Sequence, residues 1–239
     1  MTSHRFASLS AFLRARLSPE GYLGLHLTIG ALVLMVSALF FGLIAEDVAT
    51  ADQITIVDVQ VSQWFHARAT PLLTKSVLFF TNLHSTLGII ALSLLLALYW
   101  MRIRAWDWLL TLVLTVPVGM LLNVLLKNIF QRVRPVFDVP LLSLNTYSFP
   151  SGHAAAATLF YGVLAAWLIS RVTAWRWRAL IALAAALLVA LVGLSRIYLG
   201  VHYLSDVLAA MAASSCWLAF SLTAVETSRR RRRWQQLKV

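Results

Sequence analysis

Charge is what this chain has least of. Asp, Glu, Lys and Arg make up 12% of its 239 residues, while 60% are hydrophobic. Soluble domains run nearer a quarter charged. With a mean hydropathy of +0.80, a soluble fold of this size could not hide its apolar surface, so lipid must be the solvent for much of it. Cysteine is nearly absent too. Cys216 stands alone, which excludes an internal disulfide framework and a zinc site built on paired cysteines. It lies in an apolar run and reads as a packing residue. Acidic residues number nine, with no Asp-rich loop to hold magnesium. His4, His26, His66 and His84 have no carboxylate or cysteine cluster at ligand spacing. No metal and no cofactor is expected. Internal repeats and soluble domains are also lacking, so residues 1–239 are expected to form one integral membrane domain.

What the chain does have is apolar runs with basic punctuation. The net charge of +11 could suggest nucleic acid, but the cations sit in short loops and in the tail Arg229–Arg233, as the positive-inside rule produces. Nucleic-acid binding is not expected. The run from Tyr22 to Ala45 exceeds the ~7–15 residues of a signal-peptide core, even with Ala49-Thr50-Ala51 following. It reads as an uncleaved first span. Six spans are predicted, at 22–45, 87–101, 107–126, 154–170, 179–194 and 204–225. Backbone groups in lipid must be satisfied internally, so these are helices. Pro117 and Gly119 predict a kink in the third. In the segment 52–85, Ile54, Val57, Val61 and Trp64 are spaced as one face of an amphipathic helix lying along the membrane surface. The expected fold is therefore all-α: a polytopic membrane protein with six transmembrane helices and a helical extracytoplasmic segment. The tryptophans near span ends, Trp100, Trp106, Trp108, Trp175 and Trp177, read as an aromatic belt. Alanine stretches at 154–157, 184–186 and 209–213 should let helix backbones approach closely.

Charge also sets orientation. Segments 1–21, 102–107, 171–178 and 226–239 together carry fourteen Lys/Arg and three Asp/Glu; the rest of the chain carries six of each. The first set is expected to be cytoplasmic, with both termini there. The loops 127–153 and 195–203 then face the outside or periplasm of a bacterial inner membrane.

Those two loops hold the informative residues. Lys127 leads to Arg134-Pro135; Pro150-Ser151-Gly152-His153 follows; Ser195-Arg196 precedes His202 and Asp206. Cations clustered at helix ends on the cation-poor face are costly unless an anion fills them. Arg134 and Arg196 can each offer a planar fork to a phosphate and Lys127 a point charge. Gly152 allows a tight turn and close backbone approach, the turn opens a helix whose N–H groups can face an anion, and Ser151 adds a hydroxyl. His202 and Asp206, four apart, share a helix face. Asp206 can accept the Nδ1 proton and leave Nε2 free to attack. His153 is then placed to protonate the departing oxygen and to activate water. One imidazole must be neutral and the other protonated, which predicts a bell-shaped pH–rate profile.

This three-part pattern, from Lys127 to Asp206, resembles the signature of the type 2 phosphatidic acid phosphatase superfamily at every position. The resemblance implies a metal-independent lipid phosphatase working through a phosphohistidine. His202 would be the nucleophile, Asp206 its orienting partner and His153 the acid/base. Lys127, Arg134, Ser151, Gly152 and Arg196 would bind phosphate. The partners implied are a membrane lipid phosphate and the bilayer. The expected substrate is undecaprenyl pyrophosphate first, then phosphatidylglycerol phosphate or phosphatidate. A lipid A phosphatase or phosphotransferase would carry the same motifs. Vanadium haloperoxidases share the anion site but are soluble. A transporter or channel is compatible with six spans, although the charges gather at one face instead of running through them.

Overall fold

The computed structural model describes Arg16, Ser18 and residues 24–236. The rest of the expected segment 1–21, including His4, and the start of the first span at Tyr22 lie outside the described residues. Eight helices are present among the described residues, with no strand: α1 Leu25–Thr50, α2 Gln53–Ala67, α3 Pro71–Leu83, α4 Thr86–Arg102, α5 Trp106–Phe130, α6 Gly152–Arg171, α7 Trp175–Tyr198 and α8 Leu204–Gln236. Five of them (α1, α5, α6, α7 and α8) are long and apolar enough to cross a membrane. A sixth span is formed if α3 and α4 count as one element, bent by 46° at His84-Ser85. The all-helical polytopic architecture is thus as expected, and the second span is its least regular part.

The spans differ in what they touch. Only 6% of the apolar window of α1 is buried, and Leu32, Val36 and Leu39 point outward. That is the pattern of a helix solvated by lipid on most sides. By contrast α6 is packed between α5, α7 and α8. Ala154, Ala155 and Ala157 are fully buried there, the first two against Ile197, Val207 and Ala210. Ala209 and Ala210 on α8 are fully buried as well. Small side chains at 154–157 and 209–213 therefore do bring helices together. The stretch 184–186 does not: Ala184 and Ala186 are exposed, on the outer side of α7.

Helix α5 is continuous from Trp106 to Phe130, with Pro117 and Gly119 inside it. Other expectations need correction. The last helix does not stop near 225 but continues to Gln236. Arg229 and Arg230 pair with Glu226 one turn back, and Arg229 and Arg232 reach Asp107 of α5, so charge pairs carry the helix beyond its apolar part. Trp106, Trp175 and Trp177 are exposed near helix ends, as a belt requires, but Trp100 is fully buried in a core cluster beside Trp108 and Trp167. Helix α2 forms as expected, with Ile54 and Val61 of its apolar face packed against the bundle, but its most buried positions are polar. Val57 and Trp64 are exposed, while Asp58 and Ser62 are buried. The reason is electrostatic: Asp58 pairs with charge brought by another loop.

Helix α5 also separates two ends of the molecule. Asp107, paired with the basic end of α8, opens it, and Lys127 closes it beside the motif loops. At 1.5 Å per residue that is roughly 30 Å, the thickness of a bilayer core.

Candidate active site

Four helix ends build the site. The C-terminal turn of α5 supplies Lys127, the N-terminal turn of α6 supplies His153, the last turn of α7 supplies Arg196 and the first turn of α8 supplies Asp206. Between them run the loop 131–151, with Arg134, and the short loop 199–203, with His202. The second loop turns through Gly200 at φ +68°, a left-handed conformation in which a Cβ would also sit 2.8 Å from Phe137. Only glycine meets both conditions without strain.

The structure brings the sequence-predicted residues together. His202 Nδ1 lies 3.3 Å from Asp206 Oδ2, and Nε2 lies 3.2 Å from Arg134 Nη1. A guanidinium can only donate, so Nε2 is the unprotonated nitrogen and Nδ1 carries the proton toward the carboxylate. This is the tautomer that leaves Nε2 nucleophilic. His202 is 2% exposed. Burial pulls its imidazole from 6.5 down to about 4; the charges of Arg134 and Lys127 act in the same direction, and Asp206 opposes them. At neutral pH the ring is uncharged.

The cations are held by different means. Arg134 spends its fork on the loop, donating to the Thr146, Tyr147 and Val201 carbonyls and the Thr146 hydroxyl. Lys127 Nζ donates to the carbonyl of Tyr147 at 2.6 Å and that of Ser148 at 3.3 Å. Arg196 is 2% exposed. Its Nη1 donates to Thr81 Oγ1 at 2.8 Å, while its Nε, also buried, has no partner. The Ser151 hydroxyl is likewise buried and unpartnered. Ser151 occupies the N-cap of α6 but makes no capping bond with its side chain; its amide donates to the Asp206 carbonyl at 3.0 Å, joining the second motif to the third. Gly152 departs from expectation. It needs no unusual backbone, and a Cβ there would meet only Asn123 Oδ1, at 3.7 Å. Its smallness leaves room; it does not permit a turn. His153 is half-buried in the first turn of α6, within electrostatic reach of the Arg196 and Arg134 guanidinium groups.

Several members of the site were not found from sequence. Ser148 donates its hydroxyl to Asp206 Oδ2. Arg132 lies two residues before Arg134, yet it turns from the cations and bridges Asp206 and Asp58 at 2.7 and 2.8 Å. Burial opposes its charge, but Asp206 and Asp58 together raise its pKa. Thr81 and Asp58 come from the segment 52–85, which offered only a periodicity to read. Among the described residues no three or more His, Cys, Asp or Glu side chains group as a metal site would require.

The fold and site define a helical membrane protein with a buried His–Asp pair facing a cluster of cations. The family model "PAP2 superfamily" matches residues 108–230, and the chain belongs to that superfamily. It is 41% identical over 106 residues to Phosphatidylglycerophosphatase B of Bacillus subtilis (strain 168), covering 44% of this chain and 51% of the relative. The match thus spans about half the length of that curated relative. The crystal structure of a transmembrane PAP2 type phosphatidylglycerolphosphate phosphatase from Bacillus subtilis superposes with a TM-score of 0.71 at 30% identity, over 80% of this chain and 94% of that one. The crystal structure of Aquifex aeolicus LpxE gives a TM-score of 0.56 at 25% identity, over 70% and 94%.

Proposed function

We propose that this protein is a lipid phosphatase that hydrolyses the terminal phosphate of a membrane lipid at the extracytoplasmic face, through a phosphohistidine on His202. The observation that carries this reading is the tautomer: Arg134 donates to Nε2 while Asp206 receives Nδ1. A histidine merely completing a structural hydrogen bond has no need of a guanidinium against its second nitrogen.

In this reading Nε2 of His202 attacks phosphorus and the bond to the lipid oxygen breaks. That oxygen takes a proton from His153. The Nδ1 proton stays with the ring, steadied by Asp206. His153, now neutral, removes a proton from water, whose oxygen attacks phosphorus and breaks the P–N bond, releasing inorganic phosphate. Lys127, Arg134 and Arg196 neutralise the charge that spreads over the phosphoryl oxygens. The buried Ser151 hydroxyl and Arg196 Nε, unpartnered within the protein, are donors of the kind such oxygens satisfy. Gly152 contributes space and its amide.

For the substrate, the names of two relatives favour phosphatidylglycerol phosphate. Undecaprenyl pyrophosphate, the substrate expected first from sequence, presents the same terminal phosphoryl group but has no counterpart among these relatives. A cytoplasmic C-terminus is supported by the basic end of α8, which lies across the bilayer thickness from Lys127.

The test is phosphate release by the detergent-purified protein, with chelator present, from phosphatidylglycerol phosphate, phosphatidate and undecaprenyl pyrophosphate. The reading expects release from at least the first, abolished in His202→Ala. Turnover only when a divalent metal is added would contradict the mechanism, and turnover of the pyrophosphate alone would reverse the substrate order.

A further inference from the structure

The carboxylate behind His202 belongs to a larger charge cluster. Asp206 Oδ1 accepts from Arg132 Nη1 at 2.7 Å. Its Oδ2 accepts from the Tyr203 amide at 2.9 Å and from the Ser148 hydroxyl, and faces His202 Nδ1. Arg132 reaches onward to Asp58 Oδ2 at 2.8 Å. Asp58, fully buried on α2, also accepts the Ser205 amide at 2.8 Å and the Ser205 hydroxyl. The guanidinium lies over the Tyr203 ring, 4.4 Å from its centre. Even the backbone takes part: the Arg132 carbonyl accepts the Ser148 amide at 2.8 Å, closing the neck of the loop 131–151 beside Asp206.

The charges in this cluster do not cancel. An arginine alone against Asp206 would neutralise the carboxylate that His202 needs, because opposite charges in a buried site couple strongly. Two carboxylates around one guanidinium leave a net negative charge. It lies on the side of His202 that does not attack. A developing imidazolium or phosphohistidine would draw on that charge.

We propose that Asp58 and Arg132 are positioning residues for the His202–Asp206 pair: Arg132 fixes the Asp206 carboxylate, and Asp58 restores the negative charge that Arg132 would otherwise cancel beside the imidazole. The inference rests on the reading of His202 as nucleophile. Asp58 lies outside residues 108–230 matched by the family model, so docking of α2 becomes a condition for full activity. The alternative is a buried ion pair that only braces α2 against α8, a role such pairs often fill without stabilising the fold.

The two roles separate by pH. Around His202 stand Asp206 of α8, Arg134 of the loop and Lys127 of α5, with His153 of α6 in electrostatic contact; an Asp58→Asn substitution leaves all of these in place. It removes one negative charge, so the imidazolium becomes harder to form and the acid limb of kcat/KM moves to lower pH. The experiment uses the full-length protein in detergent with phosphatidate as probe. For Asp58→Asn we expect kcat to fall about ten- to a hundredfold, the scale seen when carboxylates behind metal-bound histidines are removed, with KM within about twofold and the acid limb displaced downward. Arg132→Lys keeps the cation but cannot bridge two carboxylates. Its kcat should fall with KM unchanged, and it serves as the test if Asp58→Asn does not accumulate. The double variant Asp58→Asn/Arg132→Gln should be no worse than Arg132→Gln alone. Wild-type kcat in either single variant, or reduced kcat with an unmoved acid limb in Asp58→Asn, would overturn the inference while His202→Ala stays inactive. Activity retained in His202→Ala would overturn the reading of the site and this inference with it.

Discussion

Arg196 Nη1 donates to Thr81 Oγ1 across 2.8 Å, and both side chains are buried. A helix from the least regular part of the bundle thus holds a cation of the motif region. Thr81 Oγ1 also lies 3.3 Å from the Ser195 hydroxyl, whose own proton goes to the Val192 carbonyl at 2.6 Å, so one threonine touches both residues of that motif. Thr81→Val keeps the shape and deletes the acceptor. It should leave Arg196 with a further unsatisfied donor, lower stability by about 1–3 kcal/mol, and raise KM for lipid phosphate. Thermal unfolding in detergent and steady-state kinetics check both; unchanged KM would mean that Arg196 does not contact substrate.

The pH profile follows from His202. Its burial, reinforced by Arg134 and Lys127, sets the imidazole near 4, so the nucleophile is neutral above that value and protonated below it. Divided by the fraction of substrate carrying its full phosphate charge, kcat/KM should show its acid limb only near 4. An acid limb at the ordinary 6.5 would show that His202 is solvated in the working enzyme. The alkaline limb should appear in both kcat/KM and kcat, because His153 must carry a proton to the leaving oxygen.

Gly200 can be tested without touching the chemistry. Gly200→Ala places a Cβ at φ +68° and against Phe137, which costs about 1–2 kcal/mol from the backbone alone. Reduced thermal stability and a lower kcat are expected, because His202 is two residues away. Phe137→Ala in the same background should recover only the part due to the clash.

The side of the membrane is open to chemistry because cysteine is so scarce. Asn145 is exposed in the loop 131–151. A cysteine placed there in a Cys216→Ser background should react with a membrane-impermeant maleimide in intact cells, and a cysteine at Gln235, on the exposed end of α8, should react only after lysis. The reverse pattern would invert the orientation and put the site in the cytoplasm.

How much could be read beforehand follows from what each signal encodes. Long apolar runs specify helices in lipid whatever their neighbours, so five of the six spans were plain. The second, with its bend at His84-Ser85, was not: the residue that permits the break is Gly88, where a Cβ would collide with the Leu83 carbonyl oxygen, and it is hidden inside an apolar run. His202 and Asp206 were legible as a pair from their spacing, but not as a shared helix face: His202 stands in the loop before α8, folded back so that Asp206 Oδ2 also accepts the Tyr203 amide. Arg134 was legible as a cation, but its bonds to Thr146 and Tyr147 depend on how a twenty-residue loop closes, which no periodicity records. Asp58 was hidden for the opposite reason. Its helix shows an apolar periodicity, but Val57 and Trp64 are exposed while the part-buried guanidinium of Arg132 draws Asp58 inward. The alanines at 184–186 mark the same ambiguity: small residues allow close packing, but only a neighbouring helix decides whether it happens.

The most direct test is to trap the phosphorylated intermediate. Brief incubation with lipid carrying a labelled terminal phosphate, followed by alkaline quench and peptide mapping, should place the label on His202. His202→Ala should carry none, while His153→Ala, able to be phosphorylated but slow to activate water, should accumulate more relative to its turnover. Label on another residue, or no protein-bound label in an enzyme that releases phosphate at full rate, would contradict the account at its root.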